Sequence, residues 1–230
     1  MKSNMYKVCN NAERLRRGHH TLFLDNNEFN KVTSKLKKDE YKVYYPYQDA
    51  EKIMLYTGKV PGIKLFKINA VENLKHQDVM GSLYALNVDP EHYGDIVFYE
   101  GSFYVFVTQD MADFVRNNLT IIGKTRVILE EVPLTSLSNY QRTYEELEII
   151  VSSFRIDSIV SEITSSSRSS TIKKIQNGEV IVNYNVVNKG SILLRDNDIF
   201  SIRKHGKYKF IGSNKKTKSN NHVVKILKYV

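Results

Sequence analysis

The chain has 230 residues, 41% of them hydrophobic, which is enough to bury one sizeable core or two to three small ones. Its 34 lysines and arginines against 25 aspartates and glutamates leave a formal net charge of +9, the balance expected of a protein that meets a polyanion. No apolar window is long enough for a transmembrane helix, the N-terminus lacks the apolar core of a signal peptide, and the single Cys9 excludes an internal disulfide or a cysteine metal cluster, so a reducing, cytoplasmic setting is expected.

Residues 5–17 predict a short helix with Val8, Ala12 and Leu15 on one side. An apolar stretch flanked by polar residues, His19 to Asp25, comes next. Asp25 or Asn26 can cap a helix through Phe29, Val32 and Leu36 that ends at Lys37-Lys38, where the macrodipole favours cations. Tyr41, Val43 and Tyr45 alternate as in a strand, Pro46 breaks it, and a further short amphipathic piece carries Ala50, Ile53 and Met54. The adjacent His19 and His20 have no third ligand at helical or strand spacing, so no metal site is expected there. Residues 1–61 are taken as a small N-terminal α/β domain.

Pro61-Gly62 marks a boundary, after which the order becomes strand, helix, strand, strand, helix, strand through residue 135. Val79, Leu83 and Leu86 make the apolar face of the first of these helices. Residues 95–99 and 103–107 pair as a hairpin around Glu100-Gly101, and Asp110 caps the helix carrying Met111, Phe114 and Val115. This is the split βαβ order of ferredoxin-like, RRM-type folds. Phe103, Tyr104 and Phe106 share one strand, and alternation leaves at most one of its two faces available for stacking on bases.

Residues 136–152, with Glu145, Glu146 and Glu148, read as an acidic, flexible linker or short helix. Beyond it, Ile156, Ile159, Val160 and Ile163 predict a short helix. Ser167 caps a second one running to about Gln176, and Asn177-Gly178 ends it, glycine tolerating the left-handed backbone of a helix stop. Val180, Val182, Val186 and Val187, broken by an Asn-Tyr-Asn turn, lead with Ile192 to Leu194 and Ile199 to Ile202 into a small twisted sheet. Lys215-Lys216-x-Lys218 falls in a polar loop before a last strand at 223–229. Residues 151–230 hold 15 basic and 5 acidic side chains, whereas residues 1–150 hold 19 and 20, so the whole basic excess lies in the last third. An even scatter of lysines over solvated faces would not produce that asymmetry. A surface that binds nucleic-acid phosphates with release of counterions would.

Two resemblances follow from particular residues. Arg155-x-Asp157, Ser167-Arg168-Ser169, Ile175 with Gly178, Val180-x-Val182-Asn183 and Asp198-x-Phe200-x-Ile202 resemble the S-four (αL) RNA-binding domain, with Ser170 and Lys174 departing from its usual pattern. Leu74 to Leu83, Tyr93 to Ile96, Gly123-Lys124-Thr125 and Glu130 to Leu134 resemble the central domain of the YlmH family. His20 to Asp25 and Tyr47-x-x-Ala50-Glu51-Lys52 resemble its first domain, although Tyr45-Pro46 replaces a usual glycine pair and Lys52 a common arginine. The expected fold is therefore α+β, with an N-terminal domain over 1–61, a ferredoxin-like central domain over 62–135, a linker over 136–152 and an S-four domain over 153–230.

His76, Asp78, Ser82 and Asp95 are the residue types of a nucleophilic triad, but Asp78 has an ordinary helix-capping role and Gly94-Asp95 reads as a tight turn. No GxSxG elbow, P-loop or GxGxxG is present. No catalysis and no cofactor are expected. The YlmH resemblance implies a monomeric factor of bacterial ribosome-associated quality control. It would bind the rRNA of large subunits obstructed by peptidyl-tRNA and support alanine tailing by a partner of the RqcH class. Arg155, Arg168, Lys173 and Lys174 on the two helices are the chief expected RNA contacts, with Ser167 and Ser169 at the helix start and Asn183 in the adjoining turn. Arg203, Lys204, Lys207 and Lys209 carry the basic surface into the last strands. Two other readings stay open, an RNA-modifying enzyme of the pseudouridine-synthase type and a scaffold in ribosome assembly or cell division.

Overall fold

The computed structural model describes residues 2–230, with side chains from residue 8 onward apart from that of Asn214. The first helix, α1 (Lys2–Arg16), buries Val8, Ala12 and Leu15, the face its apolar spacing dictates. α2 (Asn26–Thr33) starts at Asp25, whose carboxylate accepts from the Glu28 amide while Glu28 reaches back to the Asp25 amide, a complete capping box. The helix stops at Thr33, short of the expected Lys37-Lys38. The Thr33 and Ser34 hydroxyls donate to the Phe29 and Lys31 carbonyls and so compete with continued helical bonding. β1 (Lys42–Tyr44) pairs antiparallel with β2 (Met54–Tyr56), into which the amphipathic piece at Ile53–Met54 resolves.

The next elements are β3 (Ile63–Ala70), α3 (His76–Ala85), β4 (Tyr93–Tyr99), β5 (Ser102–Thr108), α4 (Ala112–Asn118), β6 (Ile121–Ile122) and β7 (Thr125–Val132). They form an antiparallel sheet of order β4-β5-β3-β7-β6. Glu100 and Gly101 both have positive φ, the backbone a two-residue hairpin turn requires. Asp110 does not cap α4. Met111 occupies that position without a side-chain cap, and the Asp110 carboxylate instead lies 3.7 Å from His92.

One face of this sheet, through Phe66, Ile68, Phe103, Val105 and Val107, packs on Val79 and Leu83 of α3 and Val115 of α4. Its other face, through Leu65, Val97, Tyr104 and Phe106, is covered by Phe23, Tyr47 and Met54 from the N-terminal segment and by Leu137. At Gly94 the approach is so close that a Cβ would lie 2.9 Å from the Phe23 ring and 3.0 Å from Phe106 Cβ, so only glycine lets the two layers meet there. Residues 1–61 and the sheet accordingly fall in one compact unit that ends at Gln141.

The second unit, residues 142–230, corrects the expectation of a linker over 136–152. Leu134–Leu137 is a 3-10 turn whose Leu137 is buried in the first unit, and β8 (Tyr144–Val151) is an eight-residue strand. Its Leu147, Ile149 and Val151 alternate toward the core, Glu146 and Glu148 point to the other face, and Glu145 lies on the core side at the strand's exposed end, where it pairs with Lys228. Then come α5 (Ile156–Ile163), α6 (Arg168–Gln176), β9 (Val180–Val182), β10 (Asn185–Val186), β11 (Ile199–Ile202), β12 (Gly206–Lys216) and β13 (His222–Tyr229). The sheet order is β10-β9-β11-β12-β13-β8, with antiparallel pairing throughout. Helices α5 and α6 cover one face, burying Ile156, Ile159, Val160 and Ile175 against Val180, Phe200, Phe210 and Ile226. Leu193 makes one isolated bridge to Arg155 where a strand over 192–194 was expected, and Lys215 and Lys216 lie within β12 and not in a loop.

Candidate nucleic-acid interface

The RNA contacts expected from the sequence distribute over the C-terminal unit in three groups, apart from Arg155 and Asn183. Five, three of them basic, cluster at the α5–α6 hairpin. Ser167 is the N-cap of α6, its hydroxyl accepting from the Ser170 amide at 3.3 Å and lying 3.1 Å from the Ser169 hydroxyl. Thr171 and Ile175 face the core, Lys173 is exposed on the outer side of α6, and Arg168 and Ser169 are exposed at the helix start, Arg168 on the same stripe as Thr171 and Ile175. Lys174 turns back toward the hairpin, donating to the Ser166 hydroxyl at 3.3 Å. The connecting turn is held by Ser161 donating to the Ser166 carbonyl and Thr164 to the Val160 carbonyl. Ser165 there takes the left-handed conformation, with φ of 46°.

Arg203 and Lys204 form a second group, in the β11–β12 turn. The Arg203 amide donates to the Glu179 carbonyl at 2.9 Å, which sets this exposed turn beside the C-terminal end of α6. A nine-residue helix is about 13 Å long, so Arg168, Lys173 and Arg203 mark out a basic strip of roughly that length. Lys207 and Lys209 form the third group. They alternate with the buried Tyr208 and Phe210, so they emerge on the sheet face opposite the helices.

Two of the expected contacts have their side chains committed to the fold. Arg155 forms a fork on Asp157, Nε to Oδ1 at 3.0 Å and Nη2 to Oδ2 at 2.6 Å. Asp157 is 5% exposed and also accepts from the Ser158 amide. Asn183 is a turn residue of positive φ whose amide donates to Asp198 at 2.8 Å and whose carbonyl oxygen accepts from the Ile199 amide at 3.0 Å. It ties the β9–β10 turn to the start of β11 instead of projecting beside the helix, because both ends of its short side chain are bonded to Asp198 and Ile199.

The Arg155 fork holds the Asp157 carboxyl below its ordinary range, helped by the Ser158 amide and the charge of Arg168 and opposed by burial. A carboxylate with a depressed folded-state value stabilises the fold above its unfolded value, and that contribution is lost as the pH falls through the folded one. Asp157→Asn is therefore expected to speed amide exchange in α5 at pH 6, with the gap from the parent protein closing as the pH drops below about 4. Hydrogen–deuterium exchange of the intact chain checks this, and a gap that persists at acid pH would refute it.

The two carboxylates that suggested a triad have structural partners. Asp78 accepts from the Lys75 amide at the start of α3. Asp95 lies in β4 at an irregularity in the pairing with β5, not in a tight turn. It accepts from the Tyr47 hydroxyl at 2.7 Å and from the amides of Glu51 at 2.7 Å and Lys52 at 3.2 Å. Lys52, its pKa lowered by burial, donates to the Pro90 and Tyr93 carbonyls and lies 4.3 Å from the Tyr93 ring centroid. The one face of the Phe103–Phe106 strand that alternation left available for bases is closed as well: Phe103, Tyr104 and Phe106 are 8% exposed or less, because α3 and α4 cover one side and residues 23–54 with Leu137 the other. What stays open on this sheet is a groove of about 710 Å³ at the ends of β3 and β7, lined by Asn69, Val71, Thr120, Ile121, Arg126 and Ile128.

The central domain and somewhat less than two thirds of the chain have known counterparts. Residues 62–136 match the family described as "Putative RNA-binding domain in YlmH". The chain is 32% identical over 148 residues to "Ribosome-associated protein quality control protein P2" of Bacillus subtilis (strain 168). That match takes in 64% of this chain and spans 58% of the relative's length. A solved structure, "Cell division protein ylmH from Streptococcus pneumoniae", aligns with 60% of this chain and 93% of its own, at 16% identity and a TM-score of 0.49. Residues 62–136 are thus similar to the RNA-binding domain of the YlmH family.

Proposed function

We propose that this protein is a non-catalytic RNA-binding factor of ribosome-associated quality control. In this reading it binds large ribosomal subunits obstructed by peptidyl-tRNA and supports alanine tailing by an RqcH-type partner. The observation that carries the RNA-binding part is the exposed basic strip of α6 and the β11–β12 turn, on a unit that holds 16 basic and 8 acidic residues against 18 and 17 in the first unit. The quality-control part rests on the relative's name and the 148 matched residues. The layout is that of a ferredoxin-like central domain followed by an S-four domain, in which α5, α6 and the hairpin after them form the RNA-binding module. Arg168, Ser169, Lys173, Arg203 and Lys204 contact phosphates, and Ser167, Arg155, Lys174 and Asn183 hold the module's shape. Such contacts read RNA shape more than sequence. The protein acts as a cytoplasmic monomer.

Sedimentation of lysate through a sucrose gradient tests this reading. The protein is expected in the fractions of free large subunits that also carry tRNA. Recovery at the top of the gradient in low salt would overturn ribosome binding, and co-purification with precursor rRNA alone would point to assembly instead.

A further inference from the structure

The helix-free face of the C-terminal sheet carries a row of side chains that the α6 strip does not use. Val186, Ile181, Ser201 and Lys207 are successive register partners across β10, β9, β11 and β12. Tyr229 and Tyr144 are partners across β13 and β8, with their rings 5.1 Å apart edge to face. Lys207 Nζ joins the two halves, lying 4.8 Å from the Tyr229 ring centroid and 5.4 Å from that of Tyr184. The Arg142 guanidinium lies 5.3 Å from the Tyr229 centroid. Neighbouring strands are about 4.8 Å apart, so the row crosses roughly 24 Å.

The chemistry of the row is that of a single-strand binding surface. Its cations are seated against ring faces, which fixes an otherwise mobile ammonium where a phosphate can meet it. Beside them the sheet exposes flat apolar area at Ile181 and Val186, bordered by the Tyr184 ring at the hairpin turn. The acids of this face, Glu146 and Glu148, belong to the neighbouring rows on β8, and Glu146 pairs with Lys225 at 2.8 Å. No carboxylate stands in the row itself.

Resting on the RNA-binding reading above, we propose that this face is a second, separate RNA contact that takes an unpaired stretch of the strand. Bases lie over Tyr184 and the Ile181–Val186 surface, and phosphates meet Lys207, Lys209 and Arg142. The helix strip and this face are on opposite sides of one sheet, so the unit can hold two RNA segments at once.

The test uses the full chain, fluorescence anisotropy and two labelled probes, a twelve-nucleotide oligouridine and an RNA stem-loop without unpaired flanks. Tyr184→Ser and, separately, Lys207→Gln are expected to weaken oligouridine about tenfold and the stem-loop less than about twofold, in line with the energy of a lost stacked base or phosphate contact. Arg168→Glu/Lys173→Glu is expected to act on the other probe, weakening the stem-loop about a hundredfold and oligouridine less than about twofold. Equal losses on both probes, or none on oligouridine for either variant, would overturn the proposal while leaving the helix strip intact. Competition by a twelve-residue oligoglutamate as strong as by oligouridine would also overturn it, in favour of an acidic protein partner. Loss of stem-loop binding by the parent protein would instead strike the RNA-binding reading itself.

Discussion

Reversing two charges, Arg168→Glu with Lys173→Glu, is expected to weaken binding of an RNA stem-loop by about a hundredfold or more and to move the protein off large subunits. Hydrogen bonds to charged groups are worth about 1.5–3 kcal/mol each, so losing two corresponds to at least a hundredfold in affinity. Each phosphate contact removed should also lower the slope of log affinity against log salt by about 0.7–0.9, so the double variant is expected to be visibly less salt-sensitive. Both side chains are exposed, but Arg168 stands at the start of α6 and its charge helps hold the Asp157 carboxylate, so a modest loss of stability is expected and thermal unfolding is followed beside binding. Arg155 would be a poor choice for the same experiment, because removing it strands the buried Asp157 carboxylate and confuses binding with folding. Anisotropy titrations over a range of salt settle the point. An unchanged affinity and slope would remove the α6 strip from the RNA surface.

Asp95→Ala is expected to produce the largest loss of stability among the substitutions considered, about 3 kcal/mol or more. The carboxylate accepts three hydrogen bonds, from the Tyr47 hydroxyl and the Glu51 and Lys52 amides, and so ties residues 47–52 to the middle of the chain. Each is worth about 1 kcal/mol or more, and its loss leaves partly buried donors without their acceptor. Tyr47 is 7% exposed and stacks on Phe106 with ring centroids 5.4 Å apart, so its displacement would open the layer that covers the sheet. The half-buried Lys52 ammonium would lose the charge that most opposes its desolvation. Asp95→Asn keeps the shape and one acceptor oxygen, and an intermediate effect is expected. Hydrogen–deuterium exchange over residues 44–56 together with thermal unfolding measures both. Parent-like exchange in that segment would show that Asp95 is not what holds it.

How much of this was visible in the residues depended on the range of the interaction that decides each feature. The α5–α6 hairpin, the Ser167 cap, the Gly178 stop, the Glu100-Gly101 hairpin and the concentration of basic residues near the end all follow from neighbours within a few positions, and sequence spacing carries that information. β8 was also within reach, since Leu147, Ile149 and Val151 alternate cleanly. Glu145, Glu146 and Glu148 suggested a solvated linker because the partners of the first two, Lys228 and Lys225, lie about eighty residues further on. The assignment of Asp95 to a turn failed for the same reason, its three donors being more than forty residues away.

The aromatic strand shows the limit most clearly. Alternation assigns Phe103 and Val105 to one side and Tyr104 and Phe106 to the other, and no local rule says that both sides are covered. That depends on Phe23, Tyr47, Met54 and Leu137 arriving from separate parts of the chain. The expected RNA contacts divide along the same line. Their residue types and their charge belong to the sequence by itself. The three-dimensional pairing alone decided that Arg155 and Asn183 are spent within the fold, that Arg168, Lys173 and Arg203 share one surface, and that Lys207 and Lys209 lie on the opposite face. Charge and helix caps are local properties, whereas which face of a strand meets solvent is settled by whatever packs against it.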